Sequence, residues 1–250
     1  MKFIGIIPAR YDSTRFPGKP LAMIKGKTMI QRVYEQSEEA LPEVYVATDD
    51  KRIEEKVKNF GGNVVMTSPA HRSGTDRIRE ASDKIRELSS EEHDVIVNIQ
   101  GDEPFIRPEQ IRELMQCFDD EHTEIATLIK PIKNSEALFN PNLPKVIKDK
   151  YDHAIYFSRT TIPYIRNKDT SEWLGSFPYH KHIGIYAYRT EILKEITSLE
   201  PSSLEMAESL EQNRWIENGY KIKTAVTKHE NYPIDTPEDL ENVVNLLFSE

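Results

Sequence analysis

Lys2-Phe3-Ile4-Gly5-Ile6-Ile7-Pro8 opens the chain with an almost unbroken apolar run. Alternation would mark a strand wetted on one face. A continuous run marks a strand covered on both faces, as in parallel sheets. Outward from it, residues 29–39 space their apolar side chains as an amphipathic helix does, and Val44-Tyr45-Val46-Ala47-Thr48 reads as a second strand. A charged helix follows over 51–60, a short strand over 64–66 and a helix over 76–88. Val95-Ile96-Val97-Asn98-Ile99 is the clearest strand, and Pro108 opens the next helix at the early position proline prefers. Strand and helix thus alternate over the first 118 residues, which predicts an α/β fold built on a doubly wound, mostly parallel sheet. Such sheets bind ligands beyond the carboxyl ends of their strands. Chemistry is therefore expected in 9–19, 49–50, 67–76 and 100–105.

The rhythm changes after residue 125. Strands are expected over 126–132, 145–148, 154–157 and 183–188 with no helix between each pair, which suits antiparallel pairing. Residues 134–144 and 163–179 are rich in turn formers and read as loops. A helix over 204–218, a strand over 221–226 and a helix over 237–248 complete the chain. The whole reads as one domain, 1–250, with an inserted antiparallel subregion around 126–190.

Composition narrows the function. With 38% hydrophobic and 30% charged residues, the chain has the balance of a globular protein. Its net charge of −9 argues against nucleic acid or an anionic membrane as partner. No apolar run approaches the roughly 18 residues that would cross a bilayer. The opening run is too short for a signal-peptide core, so a cytoplasmic location is expected. One cysteine, Cys117, excludes an internal disulfide and a multi-cysteine zinc site, and its helical context suits packing.

Four segments carry candidate chemistry. Pro8-Ala9-Arg10-Tyr11-Asp12-Ser13-Thr14-Arg15-Phe16-Pro17-Gly18-Lys19-Pro20-Leu21 follows a strand and supplies Arg10, Arg15 and Lys19. A triphosphate needs several cations and free backbone donors in one concave loop. Pro20 after Gly18-Lys19 rules out a Walker A loop, and no G-x-G-x-x-G dinucleotide fingerprint is present. The second segment, Gln100-Gly101-Asp102-Glu103-Pro104, fits either a metal-holding carboxylate at a strand end or a plain Gly-Asp turn. In the third, Asp235-Thr236-Pro237-Glu238-Asp239, Thr236, Pro237 and Asp239 suffice to start a helix, which leaves the Asp235 carboxylate without capping duty. The fourth, Ser73-Gly74-Thr75-Asp76-Arg77, reads on its residues alone as a helix cap.

The run IPARYDSTRFPGKPL resembles the signature of the CMP-sugar synthetases, and most closely that of the 3-deoxy-manno-octulosonate cytidylyltransferases. The similarity continues, in the family's order, through ATDD (47–50), SGTDR (73–77), VNIQGDEPF (97–105), YFSRTTIP (156–163), HIGIYAYR (182–189), SLEQ (209–212) and IDTPEDLE (234–241). The resemblance implies a nucleotidyltransferase-type fold, use of the inserted subregion in a homodimer, and transfer of CMP from CTP to an acidic octulosonate sugar for bacterial lipopolysaccharide or capsule. It implies Mg²⁺ on Asp102 and Asp235, with Arg10 and Lys19 also catalytic. It places the nucleotide on Pro8, Ala9, Arg10, Ser13, Arg15, Lys19, Ser73, Gly74, Thr75 and Arg77. The sugar falls to Gln100, Arg159, His182, Tyr186, Glu211 and Gln212. A related acidic sugar (an 8-amino-octulosonate or a sialic acid) and a non-catalytic nucleotide-binding regulator stand as alternatives; the intact Asp102 and Asp235 argue against the latter.

Overall fold

The computed structural model describes residues 1–71 and 73–248. In chain order these form β1 (Phe3–Ala9), β2 (Met23–Ile24), β3 (Lys27–Thr28), α1 (Met29–Glu38), β4 (Val44–Thr48), α2 (Lys51–Asn59), β5 (Asn63–Met66), α3 (Gly74–Ser89), β6 (Val95–Asn98) and α4 (Pro108–Gln116). Then come β7 (Ile125–Pro131), α5 (Ser135–Phe139), β8 (Lys145–Lys148), β9 (Ala154–Ser158), α6 (Trp173–Ser176), β10 (His180–Arg189), α7 (Thr190–Ile196), α8 (Ser203–Glu208), α9 (Gln212–Glu217), β11 (Ile222–Val226) and α10 (Pro237–Phe248). The chain divides into two compact units. One holds Met1–Arg112, Arg189–Thr197 and the segment from Glu230; the other holds Glu113–Tyr188 and Ser198–His229.

In the first unit the apolar opening run does what its pattern requires. Ile4, Ile6 and Ile7 are buried, and β1 pairs in parallel with β4 on one side (Ile6 opposite Tyr45) and β6 on the other (Ile4 opposite Ile96). With β5 added in parallel to β4, the order is β6-β1-β4-β5. The chain steps outward from β1 to β5, then returns across β1 to lay down β6. That reversal opens a crevice beyond the carboxyl ends of β1 and β6, where ligands of such sheets bind. Helical stripes cover the sheet: Ile30, Val33 and Tyr34 of α1, Ile53 and Val57 of α2, and Ile78, Ala81 and Ile85 of α3 are buried. Each large apolar side chain so placed contributes about 1.5–3 kcal/mol. Helix starts are capped by side chains: Asp50 accepts from Arg52 N at 2.8 Å, and Ser73 accepts from Asp76 N at 3.1 Å.

The second unit is built differently. β7 runs antiparallel to β10, with Ile129 opposite His182, while β8 is antiparallel to both β10 and β9. This is the antiparallel pairing expected over 126–190. The unit also takes in 198–229, because β11 pairs in parallel with β7, Thr224 lying opposite Thr127. Three details differ from expectation. The turn-rich stretches contain short helices: Asn134 caps α5 through Ala137 N at 2.8 Å, and Asp169 with Glu172 forms a capping box before α6. The helix expected over 204–218 is two, broken where Ser209 takes a left-handed φ of 51°. The halves are held by Arg214, whose Nε donates to Glu205 at 2.6 Å. In the first unit α7 is an addition, entered directly from β10 and anchored by buried Leu193 and Ile196. Among the described residues no helix is long and apolar enough to cross a membrane. Cys117 is buried, and burial pushes its thiol up to about 11.

Candidate active site

A cavity of about 370 Å³ opens at the crevice of the first unit. Its lining comes from the end of β1 (Pro8 and Ala9), from the loop after it (Arg10, Ser13, Arg15 and Lys19 among it), from Gly74, and from Gln100, Gly101 and Asp102 after β6. Close backbone approach shapes this floor. A Cβ on Gly101 would lie 2.8 Å from the Pro8 carbonyl oxygen, so only glycine fits there. The loop after β1 turns at Gly18, whose φ of 72° favours glycine as well.

Charge converges in the same place. The Lys19 ammonium donates to Asp102 Oδ2 at 2.8 Å and to Asp235 Oδ1 at 3.2 Å, and Arg15 reaches the same Asp235 oxygen at 3.1 Å. Asp235 is brought here by the chain around it. Ile234 N donates to the Asp102 carbonyl at 3.0 Å, and the Ile234 side chain is buried with Ile24 and Met29. The helix that follows is capped without help from the Asp235 carboxylate. Asp239 N donates to Thr236 Oγ1 at 3.1 Å, and the Asp239 carboxylate accepts from Thr236 N at 2.8 Å and from Asp235 N at 3.0 Å. Two carboxylates, from segments far apart in sequence, thus share one bound cationic group. A hard divalent cation such as Mg²⁺ takes one or two protein carboxylates and completes its shell with water and phosphate oxygens, so this donor set fits it.

Residues 67–71 and 73–77 serve mainly as framework. Arg10 donates to the carbonyls of His71 (2.5 Å) and Ser73 (3.3 Å), tying this segment to the loop after β1. Burial, with Arg77 nearby, lowers the Arg10 guanidinium from its ordinary value. Arg77 is itself fully buried and is held by Thr67 Oγ1 at 2.5 Å and Asp49 Oδ2 at 2.7 Å. Ser73 acts as the cap and Thr75 is buried, so of the four expected nucleotide residues in this region only Gly74 lines the cavity. Glu80 organises the segment further. Burial alone would raise its carboxyl, but hydrogen bonds from Lys84, Ser68 N and His71 bring it down to about 2.

Gln100 lines the cavity and donates to Asn98 at 3.1 Å. The other expected sugar residues belong to the second unit. There His182 contacts Thr127 Oγ1 at 3.2 Å and stacks edge-on against Phe157, with Tyr186 beside it. Burial lowers the His182 imidazole to about 3, which keeps it neutral at ordinary pH, and raises the Tyr186 phenol well above its usual value. The Tyr186 hydroxyl, near Thr127, and Gln212 Nε2 are buried without a hydrogen bond among the described residues. Glu211 sits at the N-cap of α9, just after the break at Ser209. Arg159 is fixed by Glu208: its N–H donates to Glu208 Oε2 at 2.9 Å and its Nε to the Glu208 carbonyl at 2.6 Å.

The cytidylyltransferase family matches residues 4–222. The chain belongs to that family. It is 62% identical to the 3-deoxy-manno-octulosonate cytidylyltransferase of Parabacteroides distasonis, over 99% of this chain and 98% of the relative. The Bacteroides thetaiotaomicron protein of the same name is 59% identical over 99% and 98%. Among solved structures, a CMP:2-keto-3-deoxy-manno-octonic acid synthetase complexed with CTP superposes with a TM-score of 0.89 at 43% identity, covering 99% and 98% of the two chains. A glucose-1-phosphate thymidylyltransferase from Bacillus anthracis shares the fold alone, with a TM-score of 0.62 at 17% identity. The cytidylyltransferase is therefore an enzyme of nucleotidyltransferase type, α/β in fold, with a mostly parallel central sheet.

Asp12, Thr14, Pro20 and Gly101 also line the cavity and Glu208 fixes Arg159, and none of these five is among the expected site residues. The first four sit inside the motifs, beside charged neighbours that carry the stronger signal. Glu208 lies one residue before a motif, and nothing local marks it.

Proposed function

We propose that the chain transfers CMP from CTP to the anomeric hydroxyl of 3-deoxy-D-manno-octulosonate, releasing pyrophosphate. The observation that carries this is the convergence of Lys19, Arg15, Asp102 and Asp235 at the switch-point cavity of a chain 62% identical to a 3-deoxy-manno-octulosonate cytidylyltransferase. In the reaction the sugar hydroxyl gives up its proton to water and its oxygen forms a bond to the α-phosphorus, the bond from that phosphorus to the bridging oxygen breaks, and its electrons leave with pyrophosphate. The protein's contribution is alignment and charge neutralisation. Arg10, Arg15 and Lys19 stand against the triphosphate, and the loop after β1 presents its backbone to it. Lys19 and Arg15 exchange their carboxylate partners for phosphate oxygens when nucleotide enters. Asp102 and Asp235 would then hold Mg²⁺, which supplies Lewis-acid polarisation of phosphate and sugar oxygens.

At the sugar end, Arg159 offers charge to a carboxylate, while Tyr186 and Gln212 carry buried polar atoms that a hydroxyl-rich ligand would satisfy. His182, kept neutral by burial, is a hydrogen-bonding group rather than a general base. The second unit also exposes Phe139, Ile155 and Tyr164, which supports use of its antiparallel region as the face of a homodimer. Pyrophosphate release, measured with each nucleoside triphosphate against a panel of acidic sugars, tests the reaction. Turnover confined to CTP with the eight-carbon sugar and dependent on Mg²⁺ is expected. Equal turnover with UTP, or with a nine-carbon acid sugar, overturns the assignment. Light scattering tests the dimer, which a monomer at high concentration would exclude.

A further inference from the structure

The adjacent acids of the ATDD motif are divided between two arginines. Asp49 holds the buried Arg77, and Asp50 holds Arg52, accepting from its Nε at 2.9 Å and its terminal nitrogen at 2.6 Å. Asp50 also caps α2 through Arg52 N, so Arg52 leaves the helix in a fixed direction. Its guanidinium carbon lies 3.2 Å above the centre of the Tyr11 ring. Tyr11 lies at the root of the loop that carries Arg15 and Lys19. Its carbonyl accepts from Ser13 N at 3.0 Å and from Gly18 N at 2.9 Å, closing the loop on itself. Its ring also packs against Gly18, where an added Cβ would come within 3.2 Å of the phenol carbon and oxygen. Neither Tyr11 nor Arg52 lines the cavity, yet the loop's closing contacts run through Tyr11.

We propose that Tyr11, clamped by Arg52, is a positioning residue: the stacked pair sets where the 12–19 loop places Arg15 and Lys19, and so governs productive binding of the nucleoside triphosphate. This rests on the reading that the loop holds the triphosphate of CTP. A planar guanidinium stacked on an aromatic face and locked from the other end by a bidentate carboxylate is a rigid clamp, and Lys cannot reproduce both contacts. More than half of the Arg52 side chain is exposed, so its loss leaves the core intact.

The test uses the full-length enzyme with steady-state kinetics varied in CTP and in sugar, together with melting temperature. Arg52→Ala is expected to raise KM for CTP about two- to fivefold, the range a cation–π contact at an exposed site supplies. KM for the sugar and the melting temperature stay put. Arg52→Lys recovers part of the loss, and Tyr11→Phe, which keeps the ring, behaves as the parent. Tyr11→Ala raises KM for CTP further, and adding Arg52→Ala to it changes nothing more, because the two act through one contact. An unchanged KM for CTP in Arg52→Ala overturns the proposal. So does an equal rise in both KM values with a fall in melting temperature, and so does additivity of the two alanine variants. Arg15→Ala and Lys19→Met separate this failure from that of the underlying reading. If they too leave KM for CTP unchanged, the loop does not hold the triphosphate. If they raise it while Arg52→Ala does not, only the clamp is wrong.

Discussion

Lys19 in the first unit and Tyr186 in the second carry polar groups into opposite circumstances. The Lys19 ammonium is answered twice, by Asp102 and Asp235, and Arg15 adds a fourth charge to the same cluster. The Tyr186 hydroxyl is buried near Thr127 but makes no hydrogen bond among the described residues, and neither does Gln212 Nε2 in the same unit. The Lys19 side chain is only 15% exposed, and a charge so withdrawn from water is costly to leave unpaired, so it keeps its carboxylate partners until a ligand enters. A neutral hydroxyl or amide costs only about 1–3 kcal/mol unsatisfied, which a fold can sustain. Strongly charged sites must therefore exchange partners on binding, whereas neutral ones can wait with atoms unpaired.

The comparison breaks most sharply at Asp235. Asp235→Asn keeps one side-chain oxygen and the helix cap, and removes the charge. It is expected to melt like the parent and to lose turnover on the order of a thousandfold, as removal of a dedicated electrostatic group does. Pyrophosphate release from that variant at parental rates would show the cluster to be structural. Thr236→Ala is its control: it should cost about 0.5–2 kcal/mol of stability while keeping activity at low temperature. Arg15→Ala comes next, because its side chain is 63% exposed and nothing folds around it. About a tenfold rise in KM for CTP is expected, with the sugar's KM unchanged. Equal values for parent and variant would place Arg15 in solvent.

Smaller effects sharpen the other side. Tyr186→Phe deletes the unpartnered hydroxyl, so the ligand-free enzyme should gain about 1 kcal/mol in urea denaturation while sugar binding weakens. A loss of stability would show that the hydroxyl has a partner after all. The other signal on this side is the pH dependence contributed by His182. Its folded-state value of about 3 lies below the ordinary imidazole value of 6.5. The unfolded chain therefore takes up the proton first as pH falls. The His182 contribution to stability is complete above about 6.5 and is lost progressively toward 3. Melting temperatures from pH 7.5 to 4 should fall less steeply in His182→Gln than in the parent, and identical slopes would mean that the ring titrates alike in both states.

Local pattern made part of this legible. β4 runs from Val44 to Thr48 as expected, because a continuous apolar strand between polar breaks announces both ends. The cap at Thr236 was equally legible, since its three residues carry the whole motif. What escaped depends on partners distant in sequence. Arg77 offers a donor to any local reading, and only Asp49 and Thr67, folded against it, turn it into a buried strut. The break between α8 and α9 leaves no mark in hydrophobic periodicity. It turns on one residue, Ser209, entering left-handed backbone space while Glu205 and Arg214 bridge the gap. The proposed sugar residues were reached through resemblance alone, since each of them by itself suits a core or surface position.

Gly101 links the two strand ends from which the cavity is built. Because a single methyl group there would strike the Pro8 carbonyl, the distance between the loop after β1 and the turn after β6 is set by main chain against main chain. Side chains along both rims can therefore be exchanged over evolutionary time without changing the gauge of the gap between them. Position 101 itself has no such latitude: any larger residue would have to wedge apart two adjacent strands whose interiors are buried on both faces. Specificity can drift around this point, while the spacing that a phosphate chain meets stays the same.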